Sequence, residues 1–218
     1  MVFDQLNRRA PAATYILAGL VVLGVILRFA LLANAADGGY KVGDRVANFT
    51  LKNVDGKTVA LEDYKTEKGV IVVFTCNHCP FSQMYEDRLI AINNKYAGKG
   101  YPVLAINPND TKKQPEDSFT EMQKRAGEKK YTFAYLHDDK QDVAKAFGAV
   151  RTPQVFLLSR RGSQFALEYI GAIDDNANEA SDARNHYVDQ AIDKLMQGQK
   201  PEPATTKAIG CTIKWREV

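Results

Sequence analysis

The chain is poor in cysteine, histidine and tryptophan, with three, three and one in 218 residues. Three cysteines are too few to staple a miniature secreted fold, so the core must hold itself together by burial. Charge of one sign is also missing: 29 Lys and Arg against 26 Asp and Glu leave a net charge of +3. Setting aside Arg8, Arg9, Arg28 and Asp4 near the start leaves a surplus of one positive charge. A balance that close gives no electrostatic reason to expect nucleic acid as a partner. Beyond Tyr40 there is no linker rich in Pro, Gly or Ser, no internal repeat and no low-complexity tract. What is present, 45% hydrophobic and 25% charged residues, is the composition of a globular domain. It excludes wholesale disorder, a collagen-like repeat and a multi-span membrane protein.

Residues 1–36 read as an export segment, either a signal peptide or an N-terminal membrane anchor. Arg8 and Arg9 give a positive start, Tyr15 to Leu27 is apolar throughout, and Ala33-Asn34-Ala35 supplies small residues at a cleavage spacing. The uncharged stretch from Ala10 to Leu27 is 18 residues long, close to the roughly 20 of a spanning helix. Cleavage and retention as a single-span tether both fit. In either case the basic end stays inside and the domain is expected on the periplasmic or extracytoplasmic face of a bacterial inner membrane.

Residues 37–200 read as one domain and 201–218 as a tail packed on it. Asn48–Val54 and Lys57–Leu61 flank Asp55-Gly56, a hairpin signal. Gly69–Thr75 is a β-branched run suited to a strand buried on both faces. Phe81, Met84, Leu89, Ile92 and Tyr96 recur at helical spacing, and Gly98 and Gly100 stop that helix. Strands are expected at Tyr101–Asn107 and Tyr131–Leu136, with a polar surface helix between them at Glu116–Lys130. Asp142–Phe147 reads as a short helix, and Gln154–Ser159 with Gln164–Ile170 as a second hairpin. Tyr187 to Met196 forms a closing helix ended by Gly198. The sum is an α/β sandwich with a mixed central sheet flanked by helices.

Cys76-Asn77-His78-Cys79-Pro80 sits between the buried strand and a helix expected to begin near Cys79. A two-residue spacer lets two cysteines close a disulfide across one helical turn. The unpaired N–H groups at the helix start favour a thiolate, the reactive form of the thiol. By spacing, Cys76 is expected to be the nucleophile and Cys79 the resolving thiol. A structural zinc site lacks two further ligands at useful spacing, and a haem attachment motif would need His where Pro80 stands. A purely structural disulfide this local would constrain little chain entropy. No metal or cofactor is expected.

The CxxC between strand and helix, with Arg151-Thr152-Pro153-Gln154 leading into a later strand, resembles the thioredoxin-like superfamily and its three-layer sandwich. The resemblance implies a cis bond at Pro153, facing the cysteines, and a substrate-pairing role for Thr152. With Val42-Gly43-Asp44, Ile173-Asp174-Asp175 and Gly210-Cys211-Thr212-Ile213-Lys214-Trp215, the chain is similar to a peroxiredoxin-like, AhpC/TSA-type redoxin subgroup. There Cys79 falls at the peroxide-attacking position. The peroxiredoxin pattern wants Pro seven and Thr or Ser three positions earlier, where this chain has Val72 and Cys76. That departure favours disulfide exchange over peroxide reduction.

The resemblance also implies a buried carboxylate serving the resolving cysteine, for which Glu62 and Asp63 are the candidates. His78 is expected to tune the Cys76 thiolate, while His137 and His186 read as structural or exposed. Cys211 is either a buried packing residue or a third redox thiol that reaches Cys76. The expected activity is an exported thiol–disulfide oxidoreductase acting on protein or small-molecule disulfides and thiols, with an unidentified redox partner. The alternatives are a thiol peroxidase using Cys79, or a non-catalytic tethered module that handles copper through its soft thiolates.

Overall fold

The computed structural model describes residues 38–217, so the readings placed on the export segment lie outside the described residues. Among the described residues, no helix is long and apolar enough to cross a membrane.

The centre of the sheet is β4 (Gly69–Phe74), buried at every position. Alternate side chains of a strand point to opposite faces, so a strand with no polar residue needs a packed layer on each side. Its neighbours are β5 (Val103–Asn107), running parallel, and β8 (Gln154–Arg161), running antiparallel. Val72 lies opposite Leu104 on one side and Phe156 on the other. Outward from β5 come β6 (Ala134–His137), β2 (Thr50–Asn53) and β3 (Thr58–Ala60); outward from β8 come β9 (Gln164–Gly171) and β1 (Arg45–Val46). The order β1-β9-β8-β4-β5-β6-β2-β3 is a mixed sheet. Its helical layers contain α1 (Pro80–Tyr96), α2 (Phe119–Lys129), α3 (Asp142–Phe147) and α4 (Tyr187–Met196).

The alternation along β4 sorts the core into two. Ile71 and Val73 pack with Leu89 and Ile92 of α1, Met122 of α2 and Ile192 of α4. Val70, Val72 and Phe74 pack with Ala144 and Phe147 of α3 and with Ile213 near the end of the chain. This is the thioredoxin-like α/β sandwich that the sequence resembles. Arg125 of α2 donates from Nε and Nη2 to Glu86 of α1, at 2.6 and 2.7 Å, which holds the polar helix against the sheet-facing one.

Boundaries differ from expectation where tertiary contacts win over pattern. The strand expected from Tyr131 begins at Ala134, because Tyr131 and Phe133 stack on each other and the Tyr131 hydroxyl donates to Glu86 at 2.8 Å. Three short strands went unforeseen: β1, β7 (Arg151–Thr152) and β10 (Cys211–Thr212). Two residues carry no periodicity, and these strands exist through their pairing alone. β10 pairs antiparallel with β7, Cys211 opposite Thr152 and Thr212 opposite Arg151.

Candidate active site

The CxxC motif leaves the end of β4 as a bent loop and enters α1, whose N-cap residue is Cys79. Pro80 takes the first helical position, where a missing N–H leaves no bond unmade. All three cysteines are free thiols; Cys76 and Cys79 are buried, and Cys211 is partly exposed. The Cys76 thiol, the Cys211 thiol and the backbone N–H groups of Ser82 and Cys211 all favour the Cys79 anion, against burial, and hold the Cys79 thiol below its ordinary value. Cys76 moves upward, since it shares its proton with Cys79, is buried, and lies near the negative Asp117. Spacing expects the thiolate on Cys76, whereas the neighbours of Cys79 favour an anion on Cys79.

Asp117 is the residue that shapes the loop. It is fully buried, and its Oδ1 accepts the backbone N–H of Asn77 at 2.7 Å and of His78 at 3.3 Å. Its Oδ2 is 2.6 Å from His78 Nδ1 and accepts from Asn109 Nδ2 at 2.7 Å. Asn77 is fixed as well, donating to the Glu116 carbonyl at 2.8 Å and accepting from the Tyr135 hydroxyl at 2.9 Å. His78 thus turns toward a carboxylate rather than bonding a sulfur. Cys76, His78 and Asp117 bring one donor atom each to within 4.8 Å of one another, though two of these already bond each other. Glu62 and Asp63 are both exposed, and Asp63 accepts the Ala60 N–H at 2.8 Å, so neither is the buried carboxylate. Asp117 is the one beside the motif.

Across from the cysteines, the Thr152–Pro153 bond is cis. Thr152 touches both sulfurs: its Oγ1 lies 3.1 Å from Cys76 Sγ, and its carbonyl oxygen accepts from the Cys79 thiol at 3.2 Å. The free edge of this loop is taken by β10, and Cys211 Sγ comes to 2.7 Å from Cys79 Sγ. Cys211, read as either a packing residue or a thiol that reaches Cys76, is brought to Cys79 by the register opposite Thr152.

The structure therefore gathers Cys76, Cys79, His78, Thr152, Pro153 and Cys211 at one end of the sheet. His137 is half-buried with an unpartnered Nε2, and His186 is an exposed residue at the start of α4. Asp117, Asn109 and Ser82 were not foreseen. Asp117 sits in a polar stretch that reads as helix surface, and only its place in a short 3-10 turn before α2 buries it.

Residues 42–163 match the AhpC/TSA family. Among solved structures, an uncharacterized conserved protein of Geobacillus kaustophilus is 36% identical, with a TM-score of 0.76 over 82% of this chain and 94% of that one. The thiol-disulfide oxidoreductase ResA of Bacillus thuringiensis subsp. konkukian is 26% identical over 125 residues, which span 56% of this chain and 66% of ResA. The chloroplastic peroxiredoxin Q of Triticum aestivum is 28% identical over 171 residues, covering 71% of this chain and 68% of that protein.

Proposed function

This chain belongs to the AhpC/TSA family, and from that premise we propose that it is a thiol–disulfide oxidoreductase working through Cys76 and Cys79. The observation that carries the reading is Thr152, just before Pro153, lying against both sulfurs of a CxxC at a helix start. An extended substrate paired with Thr152 would present its disulfide to the buried pair. The Cys79 thiolate attacks one substrate sulfur, forming a mixed disulfide and expelling the other as a thiolate. Cys76 then attacks the Cys79 sulfur, closing the Cys76–Cys79 disulfide and releasing the second substrate sulfur. Its proton goes to solvent or to the nearby Asp117 carboxylate. The oxidised pair runs the same steps in reverse on a dithiol.

This order reverses the one that spacing suggests, and trapping tests it. Cys76→Ser should accumulate mixed disulfides with a disulfide-bonded peptide, while Cys79→Ser should not. Trapping by Cys79→Ser alone would restore Cys76 as the nucleophile, and absence of exchange in the wild type would remove the activity.

A second reading, a thiol peroxidase with Cys79 as peroxidatic residue, is favoured by the neighbours that hold that thiol below its ordinary pKa. Against it, a thiol stands where a hydroxyl would orient peroxide. Consumption of hydrogen peroxide faster than disulfide exchange would select the peroxidase. On the first reading the substrates are protein or small-molecule disulfides and thiols; on the second the substrate is a peroxide; on both, a separate thiol partner resets the pair. An extracytoplasmic location, with residues 37–200 as the redox domain and 201–218 as its tail, rests on the export features of residues 1–36.

A further inference from the structure

The C-terminal segment lies where an extended substrate would lie. β10 pairs with the two residues before Pro153, placing Cys211 opposite Thr152. The strand is held from both ends. Upstream, Gly210 passes so close that a Cβ there would come to 2.2 Å from the Thr152 carbonyl oxygen, and its own carbonyl accepts from Arg151 Nη1 at 2.9 Å. Downstream, Ile213 is buried in the core, its N–H donating to the Val150 carbonyl at 3.2 Å. The Lys214 N–H donates to Asn109 Oδ1 at 2.8 Å, and its carbonyl accepts from Gln141 Nε2 at 2.9 Å. Asn109 is also bonded to Asp117, so one side chain joins the tail to the CxxC loop. At the centre of this clamp, Cys211 and Cys79 sulfurs are 2.7 Å apart, only about 0.7 Å more than a disulfide bond.

We propose that Cys211 is a third redox thiol, and that the tail is a built-in substrate arm exchanging disulfides with Cys79. The inference rests on the redox reading of the CxxC pair. Starting from the oxidised pair, the Cys211 sulfur attacks Cys79, the Cys76–Cys79 bond breaks and a Cys79–Cys211 bond forms. The proton lost by Cys211 ends on Cys76, so one disulfide replaces another and no electrons leave the chain. Cys211 has more solvent access than either sulfur of the pair. In the rearranged state it is the sulfur that an external thiol can reach. Attack there gives a mixed disulfide on Cys211 and returns Cys79 as a thiolate. While the tail is tied down, the edge of Thr152 is closed to other strands.

Disulfide mapping tests this without any turnover assay. Reduced full-length protein is oxidised with one equivalent of diamide, acid-quenched, and analysed as non-reduced peptides by mass spectrometry with fragmentation. The wild type should yield a Cys79–Cys211 cross-link beside the Cys76–Cys79 disulfide. Cys76→Ser should form the Cys79–Cys211 bond almost completely, at a rate independent of protein concentration. Gly210→Val, which collides with the Thr152 carbonyl, should lose that cross-link and keep Cys76–Cys79. Only Cys76–Cys79 in the wild type, with intermolecular dimers in Cys76→Ser, would overturn the proposal. A cross-link without substrate turnover counts against the proposed activity alone, and turnover without a cross-link against this inference alone.

Discussion

Cys79 has no solvent exposure and its sulfur lies against Cys211 of the tail, so lifting the tail is expected to open it to external reagents. Replacing Ile213 by Ala should speed that event, because Ile213 is only 4% exposed and is the main apolar anchor after β10. Truncating a buried Ile to Ala costs about 2–5 kcal/mol. The lower figure alone, if it falls on tail opening, raises the open population about 30-fold. When reclosing is faster than reaction, labelling of a buried thiol follows that population. The assay is alkylation of Cys79 by iodoacetamide in a Cys211→Ser background, read by peptide mass spectrometry, so that the more exposed thiol cannot react first. Ile192→Ala in the same background is the control. Ile192 is fully buried in the other core cluster, so its truncation weakens the fold without loosening the tail anchor. Acceleration in Ile213→Ala with little change in Ile192→Ala is expected. Equal acceleration in both, or none in Ile213→Ala, would mean that Cys79 is reached by global unfolding or from another side.

In a Cys79→Ser, Cys211→Ser background, Asp117→Asn should lower the Cys76 pKa by about one unit or more, because the carboxylate charge disfavours the thiolate. Thiolate absorbance at 240 nm follows it, and an unchanged or raised value would remove Asp117 from the electrostatics of the site. Thr152→Val takes away the hydroxyl that stabilises a Cys76 thiolate, a bond worth about 0.5–1.5 kcal/mol. Resolution of mixed disulfides by Cys76 should slow several-fold in stopped-flow traces; unaltered resolution would confine Thr152 to shaping the loop. Burial holds the His137 imidazole below its usual pKa, so the unfolded chain takes up that proton first as pH falls. The sign follows: stability is full above about pH 6.5 and declines as pH drops toward the folded value. His137→Phe should lose less melting temperature between pH 7 and pH 5 than the wild type does. An equal or larger loss would refute this.

The central strands, the first helix and the CxxC at its start are legible in the sequence because each rests on local pattern. Five apolar residues follow Gly69, side chains recur at helical spacing from Phe81, and Pro80 marks the first turn. The cis proline is legible only through resemblance, since a lone Thr-Pro says nothing of its isomer. Which cysteine attacks first is not legible from spacing alone. The dipole argument puts an anion near the helix start, and α1 begins at Pro80 with Cys79 as its N-cap and the Ser82 N–H favouring the Cys79 anion. Asp117 and the partner of Cys211 were out of reach. Both depend on contacts between segments 39 and 132 residues apart, which no periodicity encodes.

That long-range pairing also limits what else can dock on the Thr152 edge. A strand has a period of two, so a shift of one residue against Thr152 would turn its cysteine to the opposite face. A substrate that replaces the tail must therefore keep the register of Cys211 opposite Thr152 to bring its sulfur to Cys79. It meets the same obstacle that Gly210 avoids: a Cβ one residue before the cysteine would run into the Thr152 carbonyl oxygen. Backbone pairing accepts almost any sequence, whereas this contact selects a small residue, ideally glycine, just before the reacting cysteine. Selectivity on the proposed reading thus comes from register and one steric contact. The chain's own Gly210-Cys211 already satisfies both, at the high effective concentration of a tethered arm. An outside substrate has to displace that arm before it can reach Cys79.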